Sequence, residues 1–515
     1  MSTTFDSMLV PERTAPLDLS ADQFRELGHR LVDRIAEHLA SLREHRVTPG
    51  EDPATVRALL GGAGARLPQS GDDAGAVLDD AVTLLFAHSL FNGHPRFWGF
   101  ITSPAAPIGV LAELLAAAVN ANVGGWPLSP MATEIELQTV RWIAELLGYP
   151  TSCGGLLVSG GNMANMIGFW AARHAKLGAG IRSGGVPDSP PPRVYVSRET
   201  HTWIEKAADL SGLGTDAVRW IPTDSGLRID TSALRAQIET DRRAGERPFL
   251  VVGTAGTVST GAVDPLPELA EICHEYGLWF HVDGAYGAPA AVLVDAAHEP
   301  ADVPADLRGI GVADSVAVDP HKWLYAPLEA GCVLVRDPEV LRDTFTFHPP
   351  YYPAQDRSPE APLMFYEYGP QNSRGFRALK VWLGLRHVGR DGYVRMIRDD
   401  IAHARALSDA VSANRELEAF TRSLSITTFR YVPGALDTAT SGAEDYVSDL
   451  NRAVLDRLQH EGEAFVTHAV IDGRYVLRAC FVNFRTTAAD VAALPELVVR
   501  IGREIDAERR PARLR

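Results

Sequence analysis

The chain has 515 residues, a formal net charge of −16, and a composition of 46% hydrophobic and 22% charged residues. This length exceeds that of one small domain and allows a large core with appended parts. The acidic balance argues against a nucleic-acid partner, because phosphate backbones are bound by clustered positive charge.

The cysteines and the apolar segments bear on the compartment of the protein. The four cysteines are widely spaced and form no CxxC pair, which disfavours a zinc site and a disulfide framework. Residues 1–18 contain no apolar core flanked by basic residues, so no signal peptide is predicted. The apolar stretch at 109–123 contains Glu113 and is too short to span a bilayer. We therefore expect a cytoplasmic protein with no metal site and no membrane partner.

The predicted elements begin with a helix at 19–45, where apolar residues recur at helical spacing and Ser20 can cap the start. A Gly/Pro/Asp-rich linker or loop follows at 61–76. From about 100 to 340, short apolar runs alternate with helical segments, which indicates a largely parallel sheet covered on both faces. After residue 376 come a long helical region and then mixed strands and helices.

These patterns predict an α/β fold in three parts. An N-terminal helical segment covers 1–100, a large α/β domain covers 101–390, and a small α+β domain covers 391–515. The Gly/Pro-rich segment 178–192 is predicted to be an exposed loop within the large domain.

The segment SGGNMAN (159–165) lies between a predicted strand and a predicted helix. Glycines at such a turn let backbone N–H groups approach an anion, and the helix N-terminus adds a favourable dipole. The segment is therefore a candidate anion-binding turn. A tight turn without any ligand would use the same glycines, so the motif alone is a weak signal.

Two further segments follow apolar strands. Asp283, in HVDGAYG (281–287), stands at the carboxyl end of its strand, where open α/β sheets bind ligands. It could pair with a protonated ring nitrogen or simply cap the next segment. Lys322, in DPHKWLYAP (319–327), follows another buried strand. Partial burial lowers the pKa of a lysine and makes it a nucleophile for a Schiff base, whereas the alternative is a lysine lying along the surface.

His201 follows a third strand and precedes a helix, so it is expected at the same edge of the sheet. A lone histidine is more often structural than catalytic. Together, however, these residues supply an anion cradle, an acid for a pyridinium nitrogen, a stacking ring and an imine-forming lysine. Pyridoxal 5′-phosphate (PLP) requires this set.

With these residues in this order, the chain resembles the group II PLP-dependent amino-acid decarboxylases, which include the aromatic-L-amino-acid, glutamate, histidine and diaminobutyrate decarboxylases. The resemblance covers nearly the whole chain. It implies the PLP-dependent transferase fold type I and an obligate homodimer with active sites at the subunit interface, in which segment 1–100 serves dimerisation. The matching landmarks are HPRFWGF (94–100), LSPMATEIE (128–136), SGGNMAN (159–165), GTAGTVSTGAVDPL (253–266), HVDGAYG (281–287), DPHKWL (319–324) and SRGFRALKVWLGLR (373–386).

The resemblance also implies roles for the residues around the cofactor ring. Lys322 forms the imine with PLP, Asp283 pairs with the pyridine nitrogen, Ala285 lies against the ring, and His201 stacks over it. Of these, Lys322, Asp283 and His201 are the predicted catalytic residues.

At the cofactor phosphate, the resemblance places Gly161, Asn162 and His321. Asp319 stands where many relatives have asparagine. Because a carboxylate would repel a phosphate, we expect Asp319 to turn away or to accept backbone hydrogen bonds.

The implied reaction is decarboxylation of an L-amino acid to its amine and CO2. In the family, a tyrosine on a mobile loop, reaching over from the partner subunit, is associated with delivery of a proton to Cα. Tyr351 matches that position best, next to Tyr352. Some relatives couple decarboxylation to oxidation by O2 and release an aldehyde, and in the plant ones phenylalanine replaces this tyrosine. A third alternative, a non-catalytic protein with this fold, is disfavoured by the intact Lys322, Asp283 and His201.

The substrate side of the pocket is expected to involve Trp98, Phe100 and Ser103, although core packing is an equally good explanation for Trp98. Aromatic walls favour an aromatic or bulky apolar substrate. Ser373 is expected to face the substrate from the partner subunit. Gly124 departs from the aromatic residue that many aromatic decarboxylases carry there, and its lack of a side chain either leaves room for the substrate or is compensated by neighbouring residues.

Overall fold

The computed structural model describes residues 15–186, 189–294, 302–347, 349, 358 and 361–514. The chain divides into two compact units, one ending at Leu90 and the other beginning at Phe91. The end of the first unit therefore precedes the predicted domain boundary at residue 100.

The first unit is helical and buries little of its own apolar surface. The predicted first helix is confirmed: Ser20 caps it through a capping box with Gln23. No residue of this helix is buried, and Phe24 and Leu85 are largely exposed. Exposed apolar residues on this scale are unusual for a self-contained domain. The helices are α1 (Ala21–Ser41), α2 (Pro53–Leu59) and α3 (Ala74–His88).

The second unit is built on a seven-stranded sheet, whose strands are β1 (Gly154–Val158), β2 (Pro192–Ser197), β3 (Val218–Ile221), β4 (Arg247–Thr254), β5 (Trp279–Asp283), β6 (Ser315–Val318) and β7 (Gly331–Val335). Their spatial order is β1-β7-β6-β5-β4-β2-β3. The pairs β6–β5, β5–β4, β4–β2 and β2–β3 are parallel, whereas β7 is antiparallel to both of its neighbours. The predicted, largely parallel sheet is confirmed.

Successive residues of the strands feed two hydrophobic cores, one on each face of the sheet. Val194 and Val196 belong to one core, and Tyr195 between them belongs to the other. Both faces are buried because helices cover them, which explains the continuous apolar runs in the sequence. The helices of this large domain are α4 (Pro107–Val119), α5 (Pro130–Leu146), α6 (Gly161–Leu177), α7 (Ile181–Gly184), α8 (Trp203–Leu210), α9 (Thr231–Arg243), α10 (Leu266–Tyr276) and α11 (Pro338–Phe345).

The helix α12 (Ala378–Ser412) leads from the large domain into a smaller α+β region. Gly389, with φ of 66°, interrupts its helical geometry immediately before the predicted boundary at 390–391. The small sheet is antiparallel, with the order β10-β11-β9-β8. The remaining elements are β8 (Leu417–Ser423), β9 (Ile426–Tyr431), α13 (Ala443–Glu461), β10 (Thr467–Ile471), β11 (Arg474–Cys480) and α14 (Ala488–Arg509).

The predicted loop at 178–192 contains the single-turn helix α7. None of the helices in the described ranges combines the length and the apolar character needed to cross a lipid bilayer.

One buried carboxylate on α12 holds the turn that follows Lys322. Asp400 accepts hydrogen bonds from Trp323 Nε1 at 2.8 Å and from Tyr325 OH at 2.6 Å. Tyr325 has φ of 57°, a left-handed conformation that is unfavourable for a side-chain-bearing residue and needs support from its surroundings. Burial raises the pKa of Asp400 to about 7, against the partial compensation of these hydrogen bonds.

We predict that Asp400→Asn reduces the pH dependence of stability between pH 4 and 7. In this window the unfolded chain has released the Asp400 proton while the folded chain retains it, so the contribution of Asp400 to wild-type stability falls by roughly 4 kcal/mol as pH rises. The asparagine of the variant does not titrate. The melting temperature of the variant minus that of the wild type should therefore increase as pH rises. Thermal unfolding at pH 5 and pH 8 measures this. The exposed neighbour provides the control Asp399→Asn, and an equal wild-type-to-variant difference at both pH values would contradict the prediction.

Candidate active site

The predicted cofactor residues meet at the carboxyl edge of the parallel strands. A cavity of about 190 Å³ opens there. Thr254 ends β4 and Asp283 ends β5, and the two residues are register partners. Parallel strands bring their carboxyl ends to one edge, which is why residues far apart in sequence share this cavity. Of the predicted residues, those that line it are Gly161, Asn162, His201, Asp283, Ala285 and Lys322.

Asp283 is buried and hydrogen-bonded through both carboxylate oxygens. Its Oδ1 accepts from the backbone N–H of Ala285 at 3.2 Å, and its Oδ2 accepts from Trp203 Nε1 at 2.7 Å. Hydrogen bonds of this kind favour the ionised form of a carboxyl group. The arrangement suits a carboxylate that has to stay charged next to a cation.

Lys322 is paired with Asp319 inside the same cavity. Lys322 Nζ lies 2.9 Å from Asp319 Oδ2, and the Asp319 side chain is only 2% exposed. The expectation that Asp319 turns away from the site or accepts backbone hydrogen bonds was wrong. The carboxylate lines the cavity, because the nearby lysine amine offers it an opposite charge within hydrogen-bonding distance.

His321 is close to this pair but does not line the cavity. Its Nδ1 contacts the carbonyl oxygen of Ala330 at 2.7 Å, and its Nε2 lies 3.8 Å from Asp319 Oδ2. Ser103 donates its hydroxyl to the backbone oxygen of His321 at 3.0 Å. His321 and Ser103 are therefore placed to fix the turn that carries Lys322.

His201 lines the same cavity and is exposed. Its Nδ1 accepts a hydrogen bond from the backbone N–H of Trp203 at 3.3 Å, which fixes the direction of the ring. Partial burial lowers the pKa of His201, and the positive charge of Lys322 acts in the same direction. The imidazole is therefore neutral at pH 7, the form that stacks best on a flat aromatic ligand.

The start of α6 forms a close-fitting cradle. A Cβ added at Gly161 would lie 2.6 Å from Asp319 Oδ2 and 3.0 Å from Ala285 Cβ, so no side chain fits there. The unpaired N–H groups of a helix N-terminus provide an anion site at this position.

The polar lining fits PLP. Two buried oxygens in the cavity wall, Thr254 Oγ1 and Asp319 Oδ1, lack a hydrogen-bond partner among the described residues. Buried polar atoms are rarely left unpaired in a native structure, so a polar ligand is expected to satisfy them. The cavity thus combines an amine, an acid, an anion cradle and, in Thr254, a buried hydroxyl that can donate to a ligand oxygen, a set that suits PLP.

Comparison with known proteins agrees with this geometry. Residues 57–432 match the pyridoxal-dependent decarboxylase conserved domain. The chain belongs to this family. It is a PLP-dependent carboxy-lyase with the type I fold of PLP enzymes.

The similar proteins cover almost the whole decarboxylase chain. An aromatic-L-amino-acid decarboxylase of Bacillus atrophaeus is 35% identical over 95% of this chain and 97% of its own length. A phenylacetaldehyde synthase of a Rosa hybrid cultivar is 29% identical over 91% of both chains. The solved Oryza sativa TDC with PLP and tryptamine has a TM-score of 0.86 and 28% identity, covering 96% of this chain and 100% of that one.

The predicted substrate residues do not line the cavity of this decarboxylase. Trp98 is fully buried in the core of the small domain, and its Nε1 donates to Thr486. Its placement therefore agrees with core packing and not with a substrate wall. Phe100 and Ser373 are exposed, and Ser103 holds the His321 turn.

Gly124 does not provide extra room for a substrate. A Cβ at this position would lie 2.1 Å from the backbone oxygen of Asn372. The neighbouring backbone is fixed by Arg374, which donates to the oxygen of Val123 and pairs with the buried Glu136. The main chain at 372–374 thus fills the space that a side chain would take.

Sequence reasoning missed several cavity residues and one buried partner. Thr254 could have been found, because it ends an apolar strand as Asp283 does. Trp203 carried no signal, since its contact with Asp283 spans 80 residues. The other missed lining residues include Ile101, Asn165, Glu199, Lys206, Val258 and Tyr286. Tyr351 and Tyr352 lie outside the described residues.

We predict that Gly161→Ala weakens PLP binding about tenfold or more while leaving the fold intact, because its Cβ would displace Asp319 and Ala285 from the cradle. Titration of the apoprotein with PLP, followed by absorbance, measures the affinity. Gly180→Ala is the matched control, since a Cβ there meets nothing within 4 Å. Unchanged affinity in Gly161→Ala would show that α6 does not hold the phosphate.

Proposed function

We propose that this decarboxylase converts an aromatic L-amino acid into the corresponding amine and CO2. The observation that carries the proposal is the 35% identity, over nearly the whole chain, to an aromatic-L-amino-acid decarboxylase. Ile101, Val258 and Tyr286 add apolar and aromatic surface to the cavity, which suits such a side chain.

The side chains around the cavity take complementary roles in this proposal. When bound, PLP supplies an electron-withdrawing ring that accepts the electron pair left at Cα as CO2 departs. Lys322 binds the cofactor through Nζ, and Asp319 Oδ2 receives that amine as an ammonium group when the substrate replaces it. Asp283 holds a proton at the ring nitrogen. Tyr351 delivers a proton to Cα.

Orientation decides which bond of the substrate breaks. The bond held perpendicular to the plane of the cofactor ring is the one that the ring activates, so the selectivity comes from positioning. In this proposal His201 covers one face of the cofactor ring and Ala285 lies against the other, since both residues line the cavity. Gly161 and Asn162 hold the phosphate end and thereby fix the plane, while His321 fixes the turn that carries Lys322.

A second candidate function is decarboxylation coupled to oxidation, giving an aldehyde. The similarity to the phenylacetaldehyde synthase supports this oxidative reaction. The solved 4-hydroxyphenylacetaldehyde synthase of Rhodiola rosea supports it too, with a TM-score of 0.82 and 25% identity over 95% of this chain and 100% of that one. Tyr351 favours amine formation, since the plant relatives with the oxidative reaction are expected to carry phenylalanine there. The complete Lys322, Asp283 and His201 set argues against a non-catalytic protein.

We infer that the enzyme is a homodimer that shares residues between its active sites. Helix α4 presents Leu111, Leu114, Leu115 and Val119 on one face, each more than half exposed. Such a continuous apolar face is typical of a surface that another subunit covers. The exposed Ser373, and the first helical unit with its few buried residues, fit the same arrangement.

We also propose a cytoplasmic location. All four cysteines are free thiols, which agrees with a reducing compartment.

We predict that the purified enzyme with added PLP releases CO2 and an equal amount of amine from at least one of phenylalanine, tyrosine and tryptophan. Lys322→Ala should abolish both products, because no amine remains to bind the cofactor. The assay runs in air and quantifies CO2, amine, aldehyde and H2O2, with glutamate, histidine and diaminobutyrate as non-aromatic comparisons. Aldehyde with H2O2 would establish the oxidative reaction instead, and turnover of a non-aromatic substrate alone would refute the substrate class.

We predict that mixed subunits of Lys322→Ala and Tyr351→Phe regain amine formation. Random re-association makes half of the dimers hybrids, and each hybrid has one complete site, so about a quarter of wild-type activity should return. The control mixes Lys322→Ala with Asp283→Ala. Since Lys322 and Asp283 line the same cavity of one subunit, no complete site can form in that mixture. Absence of recovery in the first mixture would rule out a shared site that uses Tyr351.

A further inference from the structure

The contact between Trp203 and Asp283 joins two elements of the sheet edge. Trp203 is the first residue of α8, which follows β2, whereas Asp283 ends β5. Because β4 lies between β2 and β5, the indole reaches across the end of β4. Its Nε1 donates to Asp283 Oδ2 at 2.7 Å, and both residues are buried, with 1% and 6% exposure.

The indole ring is held by a second buried group. Trp203 packs edge-on against His281, with the ring centroids 5.8 Å apart and the planes at 77°. His281 contacts Asn165 Oδ1 and Ser315 Oγ, each at 2.8 Å. Burial lowers the pKa of His281 to about 4, so its ring is neutral at pH 7 and adds no positive charge next to Asp283.

The hydrogen-bond donors to the Asp283 carboxylate are therefore uncharged groups. Within the described ranges, its two hydrogen bonds come from Trp203 Nε1 and from the backbone N–H of Ala285. Both donors point at the carboxylate oxygens, an arrangement that suits the ionised form of a carboxyl group as a hydrogen-bond acceptor. The charged or titratable side chains that share the cavity with Asp283 are Glu199, His201, Lys206, Tyr286, Asp319 and Lys322.

We propose that Trp203 is a positioning residue that keeps the shared proton on the ring nitrogen of PLP and off Asp283. This inference rests on the proposed pairing of Asp283 with that nitrogen. With the indole N–H in place, the carboxylate stays ionised and the N–H bond of the ring is retained. Without it, the carboxyl group takes the proton, the ring becomes neutral, and its capacity to withdraw electrons falls.

The test is the protonation state of the ring nitrogen in the holoenzyme, read from the nuclear magnetic resonance signal of PLP labelled with 15N in the ring. In Trp203→Phe, the ratio of protonated to unprotonated nitrogen should fall about tenfold or more, as expected from loss of one hydrogen bond to a charged group. The kcat should fall with it, while KM changes little. PLP should still bind, since Lys322 and Gly161 are untouched.

A second replacement guards against misfolding in the first. Substituting 3-benzothienylalanine at position 203 keeps the shape of the indole and replaces its N–H with sulfur, so the same change in the 15N signal is expected. Trp170→Phe is the control, because its indole N–H donates to Ser211, away from Asp283; its signal should match the wild type.

The outcomes separate this inference from the proposal on which it rests. A wild-type enzyme with an unprotonated ring nitrogen would overturn the role of Asp283 itself. A protonated nitrogen that stays unchanged in both Trp203 replacements would leave Asp283 in place and overturn the role of Trp203. The measurement needs no substrate, so it does not depend on which amino acid the enzyme accepts.

Discussion

The active site depends on keeping carboxylates charged or paired where water is scarce. Asp283, Asp319 and Asp400 are all buried in or near the segment that carries Lys322. An unpaired buried carboxylate costs several kcal/mol, so each of them needs donors supplied by the fold. Asp283 uses an indole and a backbone N–H, Asp319 uses the amine of Lys322, and Asp400 uses an indole and a phenol.

The different donors give the three groups different chemistry. Asp319 faces the amine of Lys322, which in the proposed mechanism binds the cofactor and thereby changes the environment of this carboxylate. Asp283 faces neutral groups that remain in place. Asp400 lies behind the turn, where burial outweighs its hydrogen bonds and raises its pKa to about 7. Three aspartate side chains therefore differ in their surroundings because the fold gives each of them a different hydrogen-bonding or ionic partner.

The part of the site that follows from strand ends could be predicted from the sequence. Continuous apolar runs indicate buried parallel strands, and polar residues just after them must meet at one edge, as Gly161, His201, Asp283 and Lys322 do. Contacts between distant segments had no such signal. The bond from Trp203 to Asp283 spans 80 residues, and the bond from Trp323 to Asp400 spans 77.

Other outcomes depended on packing that a sequence pattern does not record. A buried tryptophan fits a core and a ligand wall equally well, and Trp98 lies in the core. The missing side chain at Gly124 is explained by a backbone oxygen that takes its space. The direction of β7 could not be predicted from the sequence either. An antiparallel strand that is covered on both faces has the same continuous apolar run as a parallel one.

Strand β7 lies between the two strands that lead into the glycine cradle and into the turn of Lys322, and it fixes their separation. It pairs with β1, which leads into the glycine cradle, and with β6, which leads into the turn of Lys322. Strands β1 and β6 are therefore separated by two inter-strand spacings, each about 4.8 Å, and the side chains that follow them reach toward each other across β7. The loops that follow these strands can vary in length and sequence without altering the separation of β1 and β6. The distance between β1 and β6 is fixed by the regular hydrogen bonding of the sheet, which resists stretching far better than a loop does.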